Sequence, residues 1–293
     1  MFDAVVGTPP AVAPPRRHAS RLFFRHRLAA LGLVVIVALV LSAAFASWLS
    51  PYNPDDVDIA NRYAPPMSPG HLLGSDDLGR DVLTRLMYAG QISLSVGVAA
   101  MAVTVIVGFA IGAFAAYLGG WVDVALMRVT DTMLCFPSVF LLLFVAAFVT
   151  PSLASISLMI GLTCWMELAR VIYGQIRVLR SADFVAAARM VGAPAWRIIL
   201  RQILPNVTAP ILVAATLNTA NAILLESYIS FLGYGIQPPQ ASWGNMLTNA
   251  QSDFLVDPWL AVMPGLAITL AVTSFNFIGD GLRDALDPKM QRR

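Results

Sequence analysis

The chain has 293 residues, of which 58% are hydrophobic and only 12% charged, against roughly 45–50% and 25% in a typical soluble globular domain; its mean hydropathy is +0.72. So few charges do not cover a water-facing surface of this size, which excludes an ordinary soluble domain. The net charge of +2 exerts little pull on nucleic acid, and of 19 basic residues only Lys289 is a lysine, so Schiff-base chemistry or a phosphate-binding lysine has one candidate near the C-terminus.

Residues 1–20 are rich in Pro and Ala with basic punctuation and show no periodicity, so 1–27 reads as a disordered tail. Six apolar runs then approach the roughly 20 residues a membrane-spanning helix needs. They are Leu28–Ser50, Ile92–Leu118, Thr132–Thr150, Leu153–Ile172, Val207–Tyr228 and Trp259–Gly279. The first imitates a signal peptide through Ala44-Phe45-Ala46, but its apolar run and the stretch before it are both too long, so it reads as an uncleaved anchor over 28–50. The segment 51–90 is Pro-rich and then periodic. In the second run, Gly108 and Gly112 form a small-xxx-small pair, expected to pack within the bundle in preference to making a homodimer. Pro137, Pro210 and Pro264 are expected to kink their spans. A core over 91–280 carries a connecting loop at 173–206, and 281–293 forms a second tail.

Basic residues are retained on the cytoplasmic side of a membrane. Assigning alternate connections to the two faces puts 16 of the 19 on one face, leaving only Arg62, Arg80 and Arg85 on the other beside six aspartates between Asp55 and Asp81. Both termini are therefore expected in the cytoplasm.

The loop from Ser181 to Asn206 reads as helix, break, helix. Ser181 is placed to cap the first helix, with Asp183 in its first turn, and Gly192 to end it. Pro194 suits the start of a second helix with the stripe Trp196, Ile199, Leu200 and Ile203, and Pro205 is expected to stop it. A DNA-reading helix-turn-helix is poorly served by insertion between two spans of a nearly neutral chain. A passive surface helix, and a docking element whose small face comprises Ala186, Ala187 and Ala188, both fit the pattern.

The run Asp183-Phe-Val-Ala-Ala-Ala-Arg-Met-Val-Gly192, followed by Leu204-Pro205-Asn206, resembles the Glu-Ala-Ala loop of binding-protein-dependent ABC importer permeases. Three further stretches resemble the C-type permease subunit of the dipeptide, oligopeptide and nickel branch. Leu73-Gly-Ser-Asp-Asp-Leu-Gly-Arg-Asp81 is similar to its "LGTDxxGRD" segment. Ser230-Phe-Leu-Gly-Tyr-Gly-Ile-Gln-Pro-Pro239 with Ser242-Trp-Gly-Asn-Met246 is similar to "SFLGxGxxPPxxxWGxM". Asn276 to Lys289 resembles the "GDGLRDxLDPR" ending. The glutamate that names the loop is Ala186 here, and the acid that opens it is Asp183.

The resemblance implies an all-α integral membrane protein of the type I ABC importer permease fold, with six transmembrane helices in a bacterial inner membrane. It implies a heterodimer with a second related permease subunit, two cytoplasmic ATPases and an extracytoplasmic peptide-binding protein. The chain holds no GxxxxGK[ST] phosphate loop. It is accordingly expected to be no enzyme and to bind no cofactor or nucleic acid, ATP and Mg belonging to the partner ATPases. Asp183, Phe184, Ala187, Ala188, Arg189 and Gly192 are the expected coupling residues, and Gly192→Asp is expected to abolish uptake. The cargo implied is a short peptide, with glutathione and nickel chelates as alternatives within the branch. An ion-driven transporter is the reading from another class.

Asn218, Asn221 and Glu226 are nominated for the pathway because they recur on one side of the fifth span, with hydrogen bonding between helices as the competing role. Glu226 is expected at the interface, which would spare it the cost of burial. Glu167 and Arg170 suggest a local ion pair, with a proton relay as the alternative. The aspartates between Asp55 and Asp81, with His71, lack a calcium-loop pattern and read as a solvated face with helix caps. Cys135 and Cys164 read as reduced packing residues.

Overall fold

The structure is a computed structural model that describes residues 19–286, all helix or irregular chain apart from two isolated bridges, Ser68 with His71 and Ser75 with Asp81. α1 (Ala19–Arg25) and α2 (Arg27–Ala44) meet at His26, whose Nδ1 accepts from the Ala29 amide at 3.1 Å. The expected disordered tail is corrected here. Residues 19–25 are helical because Phe23 closes on Gly281 of α12 (Trp259–Leu286), an apolar contact that the composition of the tail does not advertise; residues 1–18 lie outside the described part. The second tail is likewise shortened, since α12 runs on to Leu286, and residues 287–293 lie outside the described part. The first apolar run breaks at Phe45 before the short α3 (Ala46–Leu49).

α4 (Val82–Leu118) starts ten residues before the expected span. Asp81 caps it, accepting from the Thr84 amide at 2.8 Å and the Thr84 hydroxyl at 2.7 Å. Its 37 residues extend about 55 Å at 1.5 Å per residue, well beyond the roughly 30 Å hydrocarbon core. Gly108 and Gly112 both face α7 (Leu153–Leu179): a Cβ on Gly108 would lie 2.9 Å from the Trp165 carbonyl oxygen, and one on Gly112 would overlap that of Ala169. The small pair thus serves close packing within the chain.

The third expected span is not one helix. α5 (Gly120–Leu134) and α6 (Ser138–Ala146) meet at 86° across Cys135-Phe136-Pro137. Pro137 is extended, with φ −60° and ψ 124°, and a proline both lacks the amide that would continue the helix and disfavours helical backbone before it. Among the described residues there are therefore five helices long and apolar enough to cross a membrane, or six if this bent pair counts as one span.

Beyond α7 come α8 (Asp183–Met190) and α9 (Ala195–Ile198), and then α10 (Leu204–Phe231). Pro205 does not stop the run. The second loop helix passes through a π turn at Ile199–Ile203 straight into α10, and the proline, lacking an amide, enters where hydrogen-bond spacing is already widened. α11 (Trp243–Asp253) returns against α10 and α12. Buried residues of α2, α4, α11 and α12 form one cluster with Trp243 at the end that carries the aspartates; Tyr117, Ile172, Ile176, Val185, Ile198 and Ile203 form another at the end that carries the loop.

Candidate functional site

The loop helix α8 is held from both sides. Its start lacks the expected cap: Ser181 Oγ donates back to the Val178 carbonyl at 3.0 Å, and Ala182 occupies the capping position with no side-chain bond. Its end is a two-bond reverse turn. Gly192, at φ +78°, donates to the Arg189 carbonyl at 2.9 Å, and Ala193 donates to the Ala188 carbonyl at 3.1 Å, the pairing of a Schellman motif. Val185 is fully buried beneath α8, in the cluster that includes Tyr117, Ile198 and Ile203. Ala188 packs against the same cluster.

Of the other nominated residues, Asp183, Phe184 and Ala187 lie exposed on the outward face. Arg189 bonds the Tyr117 hydroxyl at 3.2 Å, with its guanidinium 4.9 Å from that ring's centre, which ties α8 to the end of α4. Sequence reasoning missed the most prominent feature of this surface. Met190 and Val191 are 84% and 87% exposed, forming an apolar knob beside Gly192. The alternation of apolar and small residues in the run carried that signal, but only the reverse turn at Gly192 shows which of them point outward.

A cavity of about 220 Å³ lies between the α5–α6 break, α7 and α10, and Asn218 and Asn221 both line it. Thr163, Cys164, Glu167 and Ser138 are on its wall, and Phe136 and Pro137 come from the break itself. Glu226 is not there. It is completely buried, not interfacial as expected, and accepts from Ser93 at 2.9 Å, from Ser230 at 2.8 Å and more weakly from Ser227 at 3.5 Å. Eight residues of α-helix turn it about 80° from Asn218, and five turn it about 140° from Asn221, so the three do not share a face.

The Glu226 carboxylate is instead a structural hub. Ser93 Oγ also accepts from the Trp243 amide at 3.2 Å, and Ser230 Oγ from the Ile236 amide at 3.2 Å, so the carboxylate ties α11 and the preceding turn to α4 and α10. Glu226→Ala is expected to loosen that turn, raising protease nicking across the exposed residues 237–240 about tenfold, because an acceptor worth about 1–3 kcal/mol is removed from buried donors. Glu226→Gln should stay near the native rate.

The expected Glu167–Arg170 pair is also corrected. Arg170 pairs with Asp131 of α5, because the α5 helix brings a second carboxylate within reach, and Glu167 is left exposed on the cavity wall. Cys164 lies on that wall, half-buried, and Cys135 is exposed at the break. In the segment 51–81, Asp81 does cap a helix, yet it and His71 are buried against each other at 3.0 Å, and so do not form a solvated face. Arg80 pairs with Asp76 at 2.7 Å.

The cavity geometry yields a direct expectation. In a Cys135→Ser and Cys164→Ser background, Asn221→Cys and Asn218→Cys should react with a water-soluble maleimide at least about tenfold faster than Glu226→Cys, which sits where water does not reach. Equal rates for the three would remove the cavity as an aqueous space.

A bundle of long apolar helices with a bent helix pair, a polar cavity and a loop helix hung between α7 and α10 has the architecture of an integral membrane protein. Residues 108–292 match the family described as the binding-protein-dependent transport system inner membrane component, and residues 15–66 match the N-terminal transmembrane domain of oligopeptide transport permease C. The chain is 39% identical over 272 residues to the oligopeptide transport system permease protein OppC of Haemophilus influenzae, covering 92% of this chain and 88% of the relative. It is 39% identical over 277 residues to the dipeptide transport system permease protein DppC of Alkalihalophilus pseudofirmus, covering 94% and 91%. The chain belongs to the binding-protein-dependent inner-membrane permease family and is a membrane subunit of an ABC importer.

Proposed function

We propose that this permease carries short peptides into the cytoplasm by alternating access, as one half of a heterodimer with a related permease. Two cytoplasmic ATPases, holding ATP and Mg, drive it, and an extracytoplasmic peptide-binding protein supplies the cargo. The names of relatives that align along nearly the whole chain support the peptide cargo. The Arg-rich loop end faces the cytoplasm in this reading, in keeping with the retention of positive charge there.

One observation carries the coupling. α7 and α10 both line the cavity, through Glu167 and Asn221 among others, and the same two helices flank the loop that bears α8. From Glu167 to the end of α7 is 12 residues of continuous helix, about 18 Å. A push on the Met190–Val191 knob and the exposed Phe184 therefore moves the cavity walls as levers, with Val185 and the Arg189–Tyr117 contact preventing α8 from sliding separately. An ATPase shifts the equilibrium only by gripping one orientation of α8 better than the other. Uptake by the reconstituted complex should be ATP-dependent and stopped by vanadate. Uptake that persists without ATP and collapses with an ion gradient would replace this reading with an ion-driven transporter.

A further inference from the structure

The cavity wall is one-sided in charge, with Glu167 as its one ionisable carboxylate among neutral polar groups. Asn218 Nδ2 gives one of its two protons to the Ala214 carbonyl at 2.8 Å, and Asn221 Nδ2 is turned to the Cys164 sulfur at 4.0 Å. Each amide therefore keeps its carbonyl oxygen as a free acceptor beside one remaining N–H donor. Thr163 Oγ1 spends its proton on the Met159 and Ile160 carbonyls at 2.9 and 3.0 Å, leaving only lone pairs. Glu167 adds a carboxylate with no ion pair among the described residues, since Arg170, one turn away, is engaged by Asp131. Among the described residues no basic side chain lines the cavity.

Carbonyl and hydroxyl acceptors around one uncompensated carboxylate suit a ligand that brings donors and positive charge. An ammonium group has three donors and no acceptor, and a carboxylate would be repelled by Glu167 with no cation on the wall to offset it. At about 220 Å³ the space is below the roughly 300 Å³ at which pockets enclose a whole drug-sized ligand, so it takes one end of a short peptide. We propose that this cavity is a subsite for the amino terminus of the transported peptide, with Glu167 as the residue that pairs with its ammonium group and Asn218 and Asn221 as acceptors beside it. The inference rests on the peptide-import reading. Its place in the cycle is the state in which cargo has left the binding protein and has not yet reached the cytoplasm. The Arg170–Asp131 pair keeps the nearest cation from neutralising Glu167 when cargo is absent.

The test uses the assembled transporter in inside-out membrane vesicles, which opens the cavity to added peptide without the binding protein. In a Cys135→Ser background, Cys164 is the reporter, alkylated by a water-soluble maleimide. Alanine peptides of two to five residues are first compared for uptake by the intact system, and the best is used with its N-acetyl form. The free peptide should slow alkylation. Acetylation should raise the half-protecting concentration about fivefold, the strength of an ion pair still reached by water. Glu167→Gln should raise it by a similar factor for the free peptide and leave the acetylated one unchanged, and Glu167→Asp should restore most of the difference.

Acetylation that costs as much in Glu167→Gln as in the native carboxylate overturns the pairing while leaving peptide import intact. Equal protection by both forms in the native complex, or a Cys164 that never reacts, overturns it too. Failure of every peptide to be taken up overturns the import reading itself, and this inference with it.

Discussion

Replacing Gly192 with valine should abolish uptake while the complex still assembles. Gly192 sits at φ +78° with nothing within 4 Å of where a Cβ would stand, so within this chain any effect comes through the backbone. The left-handed conformation costs an ordinary L-residue about 1–2 kcal/mol, and a β-branched one is a still poorer fit. α8 has only 8 residues and no side-chain cap at its start, so the two reverse-turn bonds at its end hold much of its definition. Without them α8 frays, and Met190 and Val191 lose their fixed direction.

The geometry also changes the choice of variant. Aspartate and asparagine tolerate left-handed backbone better than other side chains, so Gly192→Asp mixes a mild conformational cost with a new charge. Gly192→Asn should keep roughly half or more of the uptake rate, since its conformational penalty lies well below that of valine. ATPase activity and vesicle uptake measured on the same preparation separate the outcomes: Gly192→Val should leave basal ATP hydrolysis uncoupled from transport. Normal uptake by the valine variant would remove α8 as the coupling element.

Gly112→Leu should prevent the protein from accumulating in the membrane. The contact between α4 and α7 is the backbone of the bundle, and at Gly112 a Cβ would overlap the Ala169 carbonyl oxygen and touch Ile172 at 3.1 Å. Neither the carbonyl nor the helix behind it is the free end of a flexible side chain. Overpacking a well-fitted contact costs typically 1–3 kcal/mol, and here four carbons must enter space that does not hold one. The matched control is Gly174→Ala on α7, where nothing lies within 4 Å; it should be neutral or slightly stabilising, because alanine is the better helix former by about 0.8–1 kcal/mol. Amounts of extracted, correctly sized protein measure both. A Gly112→Leu chain recovered at the native level would mean that α4 and α7 separate more readily than their packing indicates.

Much of the architecture was legible because apolar runs in a membrane report directly on the solvent around them. The five long spans, the helix-break-helix of the loop and the stop at Gly192 all follow from local chemistry: hydrophobicity summed over about 20 residues, and a glycine where left-handed backbone is needed. The bent α5–α6 pair was only half legible. Pro137 announced a disturbance, but an 86° turn depends on what packs against each limb. Pro205 announced a stop that did not occur, because the π turn before it accommodates the missing amide.

The candidate site divides along the same line. Asn218 and Asn221 are polar where lipid-facing helices avoid polarity, which composition alone reveals. Glu226 carried the same signal and serves another purpose, since its serine partners come from α4 and α10 and are joined through them to α11, elements far apart in the chain. Glu167 was assigned the nearest arginine, and Asp131, 39 residues away, took that arginine instead.

By itself, then, the sequence determined what surrounds this protein, where its five long apolar helices lie, and where the loop between α7 and α10 turns, because these depend on neighbours within a few helical turns. Only the tertiary structure decided which carboxylate is a hub and which faces an open cavity. A charge in a helical bundle takes its role from the partner that packing delivers, and in this fold those partners arrive from other helices.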